Sequence, residues 1–362
     1  MIDTALARVT GYLTDAQDQL RRDLAYPVPA YRLMVDGVDI AQVVSPRLMS
    51  LGLTDNRGME ADQLSLVLSD HDGLLALPRT GAVIRLWLGW SDTGLVDKGS
   101  YTVDEVEHSG APDVISIRAR SADLRTGLKG KRERSWSNTT LGQVLSDIAL
   151  GNQLELSMAA DLKPLVIEQL DQANESDANL VSRLANEYDA IIAVKAGRLV
   201  CLQAGAGKTA SGADLPLITL TRQDGDQHRY LRAERDSYDG VRAFYYDVNS
   251  AQKREAIAGG GSGSGGNLKD MRHTYSDRSS ALRAARAEYA RVQRGVATLS
   301  YSLARGRAEL VPEMRYRLVG VKAEIDAVVW VGGNVEHRLS AGGGYVVGVE
   351  MEGGPSTVFE VG

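Results

Sequence analysis

Short runs in which apolar and polar residues alternate limit the possible folds of this chain more than any other feature of its sequence. Leu64-Ser65-Leu66-Val67-Leu68-Ser69, Val83-Ile84-Arg85-Leu86-Trp87-Leu88 and Val114-Ile115-Ser116-Ile117-Arg118 place every second side chain on one face. A period of two is that of a half-buried strand, because successive side chains of extended backbone point to opposite sides of a sheet. Asp36-Gly37, Asp72-Gly73 and Ser109-Gly110 separate such runs with residues that tolerate tight turns. The stretch from Tyr31 to about Ser121 therefore predicts a β-barrel or sandwich. A composition of 38 glycines and only two phenylalanines suits a strand-rich chain with many turns.

The period changes between about 131 and 204. Asn138-Thr139-Thr140 can cap a helix carrying Leu141, Val144, Leu145 and Ile148, and Ser176 can cap another carrying Leu180, Val181, Leu184 and Tyr188. A strand pair follows, Ala190–Val194 and Arg198–Leu202, turned at Ala196-Gly197, so a small α/β module is expected. Strands resume near 217 and include Val241–Tyr246, Thr298–Leu303 and Gly344–Val349. Within this half, the glycine-serine run 259–266 has nothing to bury and reads as a flexible loop. Ser279 is expected to open a helix with Leu282, Ala285, Tyr289 and Val292 on one face, which Gly295 can end in a left-handed conformation. Before the first strand, residues 2–24 read as an amphipathic helix stopped by Pro27 and Pro29. The expected fold is mainly β with an α/β insertion. It comprises an N-terminal helix (1–28), a first β-barrel (29–128), a small α/β domain (129–206) and a second β-barrel (207–362) with a helix at 279–294.

Little in the sequence points to chemistry. The single cysteine, Cys201, sits in an apolar strand and cannot build a disulfide within the chain or a cysteine-rich zinc site. Leu202 to Thr209 ends like a phosphate-binding loop, but it lacks the first glycine and no helix pattern follows, so a surface loop between strands is expected. Asp70-His71-Asp72 precedes Gly73 and reads as a turn, not a metal site. No nucleophile elbow accompanies His108 or His337, which are expected to be structural. The basic cluster Lys129–Arg134 is expected to be a solvated linker or a salt-bridged subunit contact. A net charge of −6 disfavours binding to nucleic acid, and no apolar run is long enough to span a membrane. With no secretion signal at the N-terminus, the chain is expected to be kept in the cytosol or to leave by a route that reads no signal. No cofactor and no catalytic residue is expected.

One short echo links the two strand-rich halves. Tyr101-Thr102-Val103 leads to Val106-Glu107-His108 and a turn; Val329-Trp330-Val331 leads to Val335-Glu336-His337 and another turn. Two related barrels in one chain would let three chains imitate a six-fold ring.

Several segments together resemble the late control protein D family of contractile-tailed phages. They are Tyr31–Ile40, Glu60–Leu64, Leu86–Trp90, Gln172–Leu180 with Arg183-Leu184-Ala185, Arg272–Tyr275, the helix Ala281–Arg294, Leu303–Gly306 and Val335-Glu336-His337. The resemblance spans about residues 30 to 352. The N-terminal helix is additional to the family pattern and the glycine-serine run is longer. The resemblance implies a non-enzymatic baseplate hub, similar to the hub part of type VI secretion spikes. Such a hub is a homotrimer whose six barrels meet a six-fold tail tube while three-fold symmetry meets a central spike protein, with tape-measure and baseplate wedge proteins as further partners. It implies a place in the tail baseplate of a particle assembled in the bacterial cytoplasm. A tail-associated cell-wall hydrolase, or a peptidoglycan-binding module centred on residues 131–204, is the alternative.

Overall fold

The computed structural model describes residues 26–121, 127–232, 238–248, 250–260 and 266–354. The expected N-terminal helix and most of the glycine-serine run lie outside these residues. A first unit contains β1 (Pro29–Val35), β2 (Val38–Asp39), a single turn α1 (Ala41–Val44), β3 (Leu48–Asp55), β4 (Gln63–Ser69), β5 (Val83–Trp90), β6 (Gly94–Ser109) and β7 (Val114–Ser121). The alternating runs become these strands for the expected reason. Leu51 and Leu53, Leu64, Leu66 and Leu68, Ile84, Leu86 and Leu88, and Ile115 and Ile117 all face one core, while the intervening residues face outward. All pairings in the unit are antiparallel, in the order β2-β1-β5-β6-β7-β4-β3.

The α/β insertion has its own core. It runs β8 (Lys131–Thr140), α2 (Leu141–Gly151), β9 (Glu155–Met158), β10 (Val166–Ser176), α3 (Asp177–Glu187), β11 (Ala190–Lys195) and β12 (Arg198–Gln203). Both helices begin at the residues expected to cap them. The Thr140 hydroxyl accepts the Gln143 N–H at 3.3 Å, and the Ser176 hydroxyl accepts the Asn179 N–H at 3.2 Å. Ala196 and Gly197 turn the β11–β12 hairpin with φ of 50° and 74°, the positive pair of a primed turn. Cys201 is fully buried here, and burial pushes its thiol up to about 12, which makes it inert.

The basic cluster differs from expectation. Lys131 to Arg134 open β8 instead of a linker, and Arg132 and Arg134 both pair with Asp177, which is completely buried. Asn152 and Gln172 each donate to the same carboxylate at 2.8 Å. A carboxylate at the first turn of α3 is stabilised by the free N–H groups of the helix, and the two arginines supply the charge balance that burial demands.

The second unit comprises β13 (Leu217–Thr221), β14 (Gly225–Arg232), β15 (Gly240–Asp247), β16 (Gln252–Gly259), β17 (Leu268–Tyr275), α4 (Arg278–Arg294), β18 (Ala297–Leu303), β19 (Arg315–Val319), α5 (Ala323–Asp326), β20 (Val329–Ser340) and β21 (Gly344–Gly353). Strands β15–β17 form a separate three-stranded sheet covered by Ala281, Ala285, Leu282 and Tyr289 of α4. Asp277, not Ser279, caps that helix, accepting the Ser280 N–H at 2.9 Å and the Ser279 hydroxyl at 2.6 Å. Gly295 ends it with φ of −82°, so the expected left-handed conformation is absent; its N–H instead reaches the Arg291 carbonyl.

Two strand-rich units thus flank an α/β insertion, yet hydrogen bonding does not seal each one separately. Strand β20 pairs antiparallel with β3, and the two units share one 13-stranded sheet and one continuous hydrophobic core. The pairing covers the edge of β3, which would otherwise present unpaired backbone groups.

Burial alone would raise the Asp277 carboxyl; hydrogen bonds from Ser279, Ser280 and Ser276 outweigh it and hold the group near 2, against an ordinary 3.8. A depressed acid contributes stability above its unfolded pKa and loses it as pH falls through the folded value. Asp277→Ala should cost about 1 kcal/mol at neutral pH. Urea titrations should show that difference shrinking between about pH 4 and pH 2.

Candidate assembly interface

The two units repeat one pairing scheme. In the first, β3, β4, β5, β6 and β7 lie in the order β3-β4-β7-β6-β5; in the second, β14, β18, β19, β20 and β21 lie in the order β14-β18-β21-β20-β19. Every one of these pairings is antiparallel. The three-residue echo occupies matching places in this scheme. Val106, Glu107 and His108 of β6 face Ile117, Ser116 and Ile115 of β7, while Val335, Glu336 and His337 of β20 face Val349, Gly348 and Val347 of β21. A register shift precedes each echo, at Val103/Glu105 and at Gly332/Val335.

The matched histidines live in different surroundings. His108 is exposed and lies 3.5 Å from an Asp70 oxygen. His337 is completely buried, with Nδ1 2.9 Å from the Tyr345 hydroxyl and the two rings stacked. Burial, reinforced by the Lys98 charge, pushes the His337 imidazole down to about 2 and keeps it neutral. The difference follows the neighbours: β3 lies against this half of β20, with Leu53 opposite His337, and β5 stops pairing with β6 at Thr102.

Charged side chains converge where the units meet the insertion. Arg57, just past β3, donates to Glu352 at 2.8 Å and also pairs with Glu313, and its backbone N–H reaches the Asn334 side chain at 2.9 Å. Glu313 accepts a further bond from the Gly205 N–H at 2.8 Å. Arg294 of α4 holds Asp189 at the start of β11 and lies 3.5 Å from Glu352. On the other side, Lys195 of β11 reaches Asp55 at 2.8 Å and Asp62 at 2.6 Å. Burial, together with the Asp55 charge, raises the Asp62 carboxyl; burial opposes the Lys195 charge, but the two carboxylates hold the ammonium above its ordinary value. Lys98 donates to the carbonyls of Ala308 and Leu310, and Trp90 donates to the Gly306 carbonyl at 2.7 Å.

This arrangement orients parts of the chain relative to one another. Asp55, Asp62 and Asp97 line one cleft; Lys195 engages the first two and Arg85 binds Asp97. Among the described residues no group of three histidines, cysteines or carboxylates could hold a metal ion, and no helix is long and apolar enough to cross a membrane. The segment after Leu202 is a loop between β12 and β13 with a bridge from Lys208 to Asp214. Asp70-His71-Asp72 is a turn in which Arg47 binds Asp72. Arg57, Glu313, Asp189 and Glu352 have no local signature in the sequence, since each comes from a different segment and pairs only in the folded chain.

The model of the phage tail baseplate hub (GPD) family matches residues 62–343. The chain belongs to this family. It is 40% identical to the probable baseplate hub protein of Escherichia phage 186, over 95% of this chain and 96% of that protein. Its fold is similar to that of a tail protein from Neisseria meningitidis MC58, with a TM-score of 0.68 at 13% identity over 90% of this chain and 96% of that one. It is also similar to an E. coli protein described as a type VI secretion component with structural similarity to T4 tail proteins, with a TM-score of 0.52 at 13% identity over 90% of this chain and 78% of that one. Membership makes the protein a tail baseplate hub component and places it in the virion tail.

In this hub protein the junction charges are mutually dependent. Arg57→Ala would strand Glu313, which is buried and already raised by that burial. Loss of one partner of a buried pair costs about 3–5 kcal/mol, whereas joint replacement by apolar residues costs far less. Denaturant titration should therefore find Arg57→Ala much less stable than Arg57→Met combined with Glu313→Leu.

Proposed function

We propose that three copies of the chain form a ring that joins a six-fold tail tube to a three-fold central spike, and that its role is mechanical. The observation that carries this reading is the repeated pairing scheme: two units of one topology in each chain give six units in a trimer. A threefold assembly could then present six similar faces to a tube and three identical chains to a spike. Descent of the two units from one ancestral unit, marked by Val106-Glu107-His108 and Val335-Glu336-His337, is part of the same proposal. The similarity to a type VI secretion component supports a spike as partner. Sheath contraction would drive tube, hub and spike through the target envelope together, with tape-measure and wedge proteins contacting the same baseplate, after assembly in the host cytoplasm.

The protein is read as non-enzymatic because its convergent charges brace the fold: the Asp55 and Asp62 carboxylates line a cleft, but both are bound by the Lys195 ammonium group. Size-exclusion chromatography with light scattering tests the assembly. A particle of three times the 39.0 kDa chain mass is expected for the protein alone, or three chains plus the mass of the spike when its cognate spike protein is bound. A monomer throughout the micromolar range, with the spike present as well as without it, would reject the reading.

A further inference from the structure

Each unit has an edge strand, β3 or β14, and a receiving strand, β6 or β20. Within the chain the edge strand of unit one is already docked: Ser50 to Asp55 of β3 pair with Val335 to Ser340 of β20. The complementary pair is open. Among the described residues β14 pairs with β18 alone, and Glu105 to Ser109 of β6 have β7 on one side and no strand on the other.

We propose that β14 of one copy pairs antiparallel with Glu105–Ser109 of β6 in the next copy, repeating between subunits the β3–β20 joint found within each. This rests on the trimeric reading above, and a head-to-tail contact of this kind closes into a ring when three such steps complete a turn.

The internal joint fixes the register. Leu51 faces Leu66, which faces Ile117, which faces Val106; His228 faces Tyr301, which faces Val349, which faces Val335. Leu51 therefore corresponds to His228, and Leu53 to Tyr230. Since Val335 faces Asp55 and His337 faces Leu53, the transferred register puts Arg232 opposite Val106, Leu231 opposite Glu107, Tyr230 opposite His108 and Arg229 opposite Ser109.

Burial and charge both agree with this register. Val335, His337 and Leu53, which have their partner, are completely buried, whereas Val106 and Tyr230 are half-buried, His108 is exposed and Leu231 is 50% exposed. Glu105 and Glu107 are exposed along the β6 edge, Arg229 and Arg232 along the β14 edge. Pairing of either edge with its own kind would set like charges together, while β14 against β6 brings Glu107 diagonal to Arg229 on one face. An open edge without such selectivity would invite uncontrolled pairing.

Cysteine cross-linking in the full chain tests the register, since the native Cys201 is buried. Glu107→Cys combined with Leu231→Cys should convert the monomer band into covalent trimer on non-reducing gels, while neither single variant does so. Thr54→Cys with Glu336→Cys occupies the equivalent positions inside one chain and should close an intrachain bond. If light scattering finds a trimer and this internal pair closes but the Glu107/Leu231 pair does not, the proposed contact is wrong and the trimeric reading survives. If the protein is monomeric under the conditions that reject the trimeric reading, both fall.

Discussion

The antiparallel ladder between β3 and β20 is the contact on which the rest of the molecule depends. It joins residues 50–55 to residues 335–340, almost opposite ends of the chain, and makes two sheets into one. Several members of the charged junction sit at its end. Asp55 is the last residue of β3, Arg57 follows two positions later, and Asn334 immediately precedes the paired part of β20. Without that ladder, Arg57 could not reach Glu313 and Glu352 at once.

The ion pairs around the ladder act more on orientation than on net stability. Taking charges out of water costs several kcal/mol each, and well-packed apolar residues could fill the same space at no loss. What charges provide is direction: a guanidinium held by two carboxylates and a backbone ladder tolerates one relative placement of the parts. Lys195 fastens the α/β insertion to unit one through Asp55 and Asp62. Arg283, Arg291 and Arg294 of α4 fasten the same insertion to unit two through Glu187, the Asn186 carbonyl and Asp189. The insertion is thus gripped from both sides by charged contacts.

Local features were legible in the sequence because local physics decides them. The period-two runs became strands with the expected face inward, Thr140 and Ser176 capped their helices, and Ala196-Gly197 turned its hairpin. Where two nearby residues competed for one role, sequence was less decisive: Asp277 rather than Ser279 caps α4, because its carboxylate accepts from both the Ser280 N–H and the Ser279 hydroxyl. Lys129–Arg134 looked like solvated charge because its balancing partner, Asp177, lies more than forty positions away. The β3–β20 ladder had no signature at all. Alternation tells a strand which face to bury, but not which strand to lie beside.

The echo around His108 and His337 shows how one sequence can serve two environments. Both histidines follow a register shift on the first strand of a hairpin, and Val106 and Val335, two positions before them, pack in or against the core. In β20 the neighbouring β3 completes the wall, so His337 is enclosed, held by Tyr345 and kept neutral. In β6 no such neighbour exists among the described residues, and His108 is exposed beside Asp70. The two larger additions to the repeated scheme fall outside its ladders: the α/β insertion follows β7, and the β15–β17 sheet with α4 lies between β14 and β18. A strand pairing constrains both of its members along their whole length, whereas a connection constrains only its two ends. One pairing scheme is therefore compatible with very different connections in the two units.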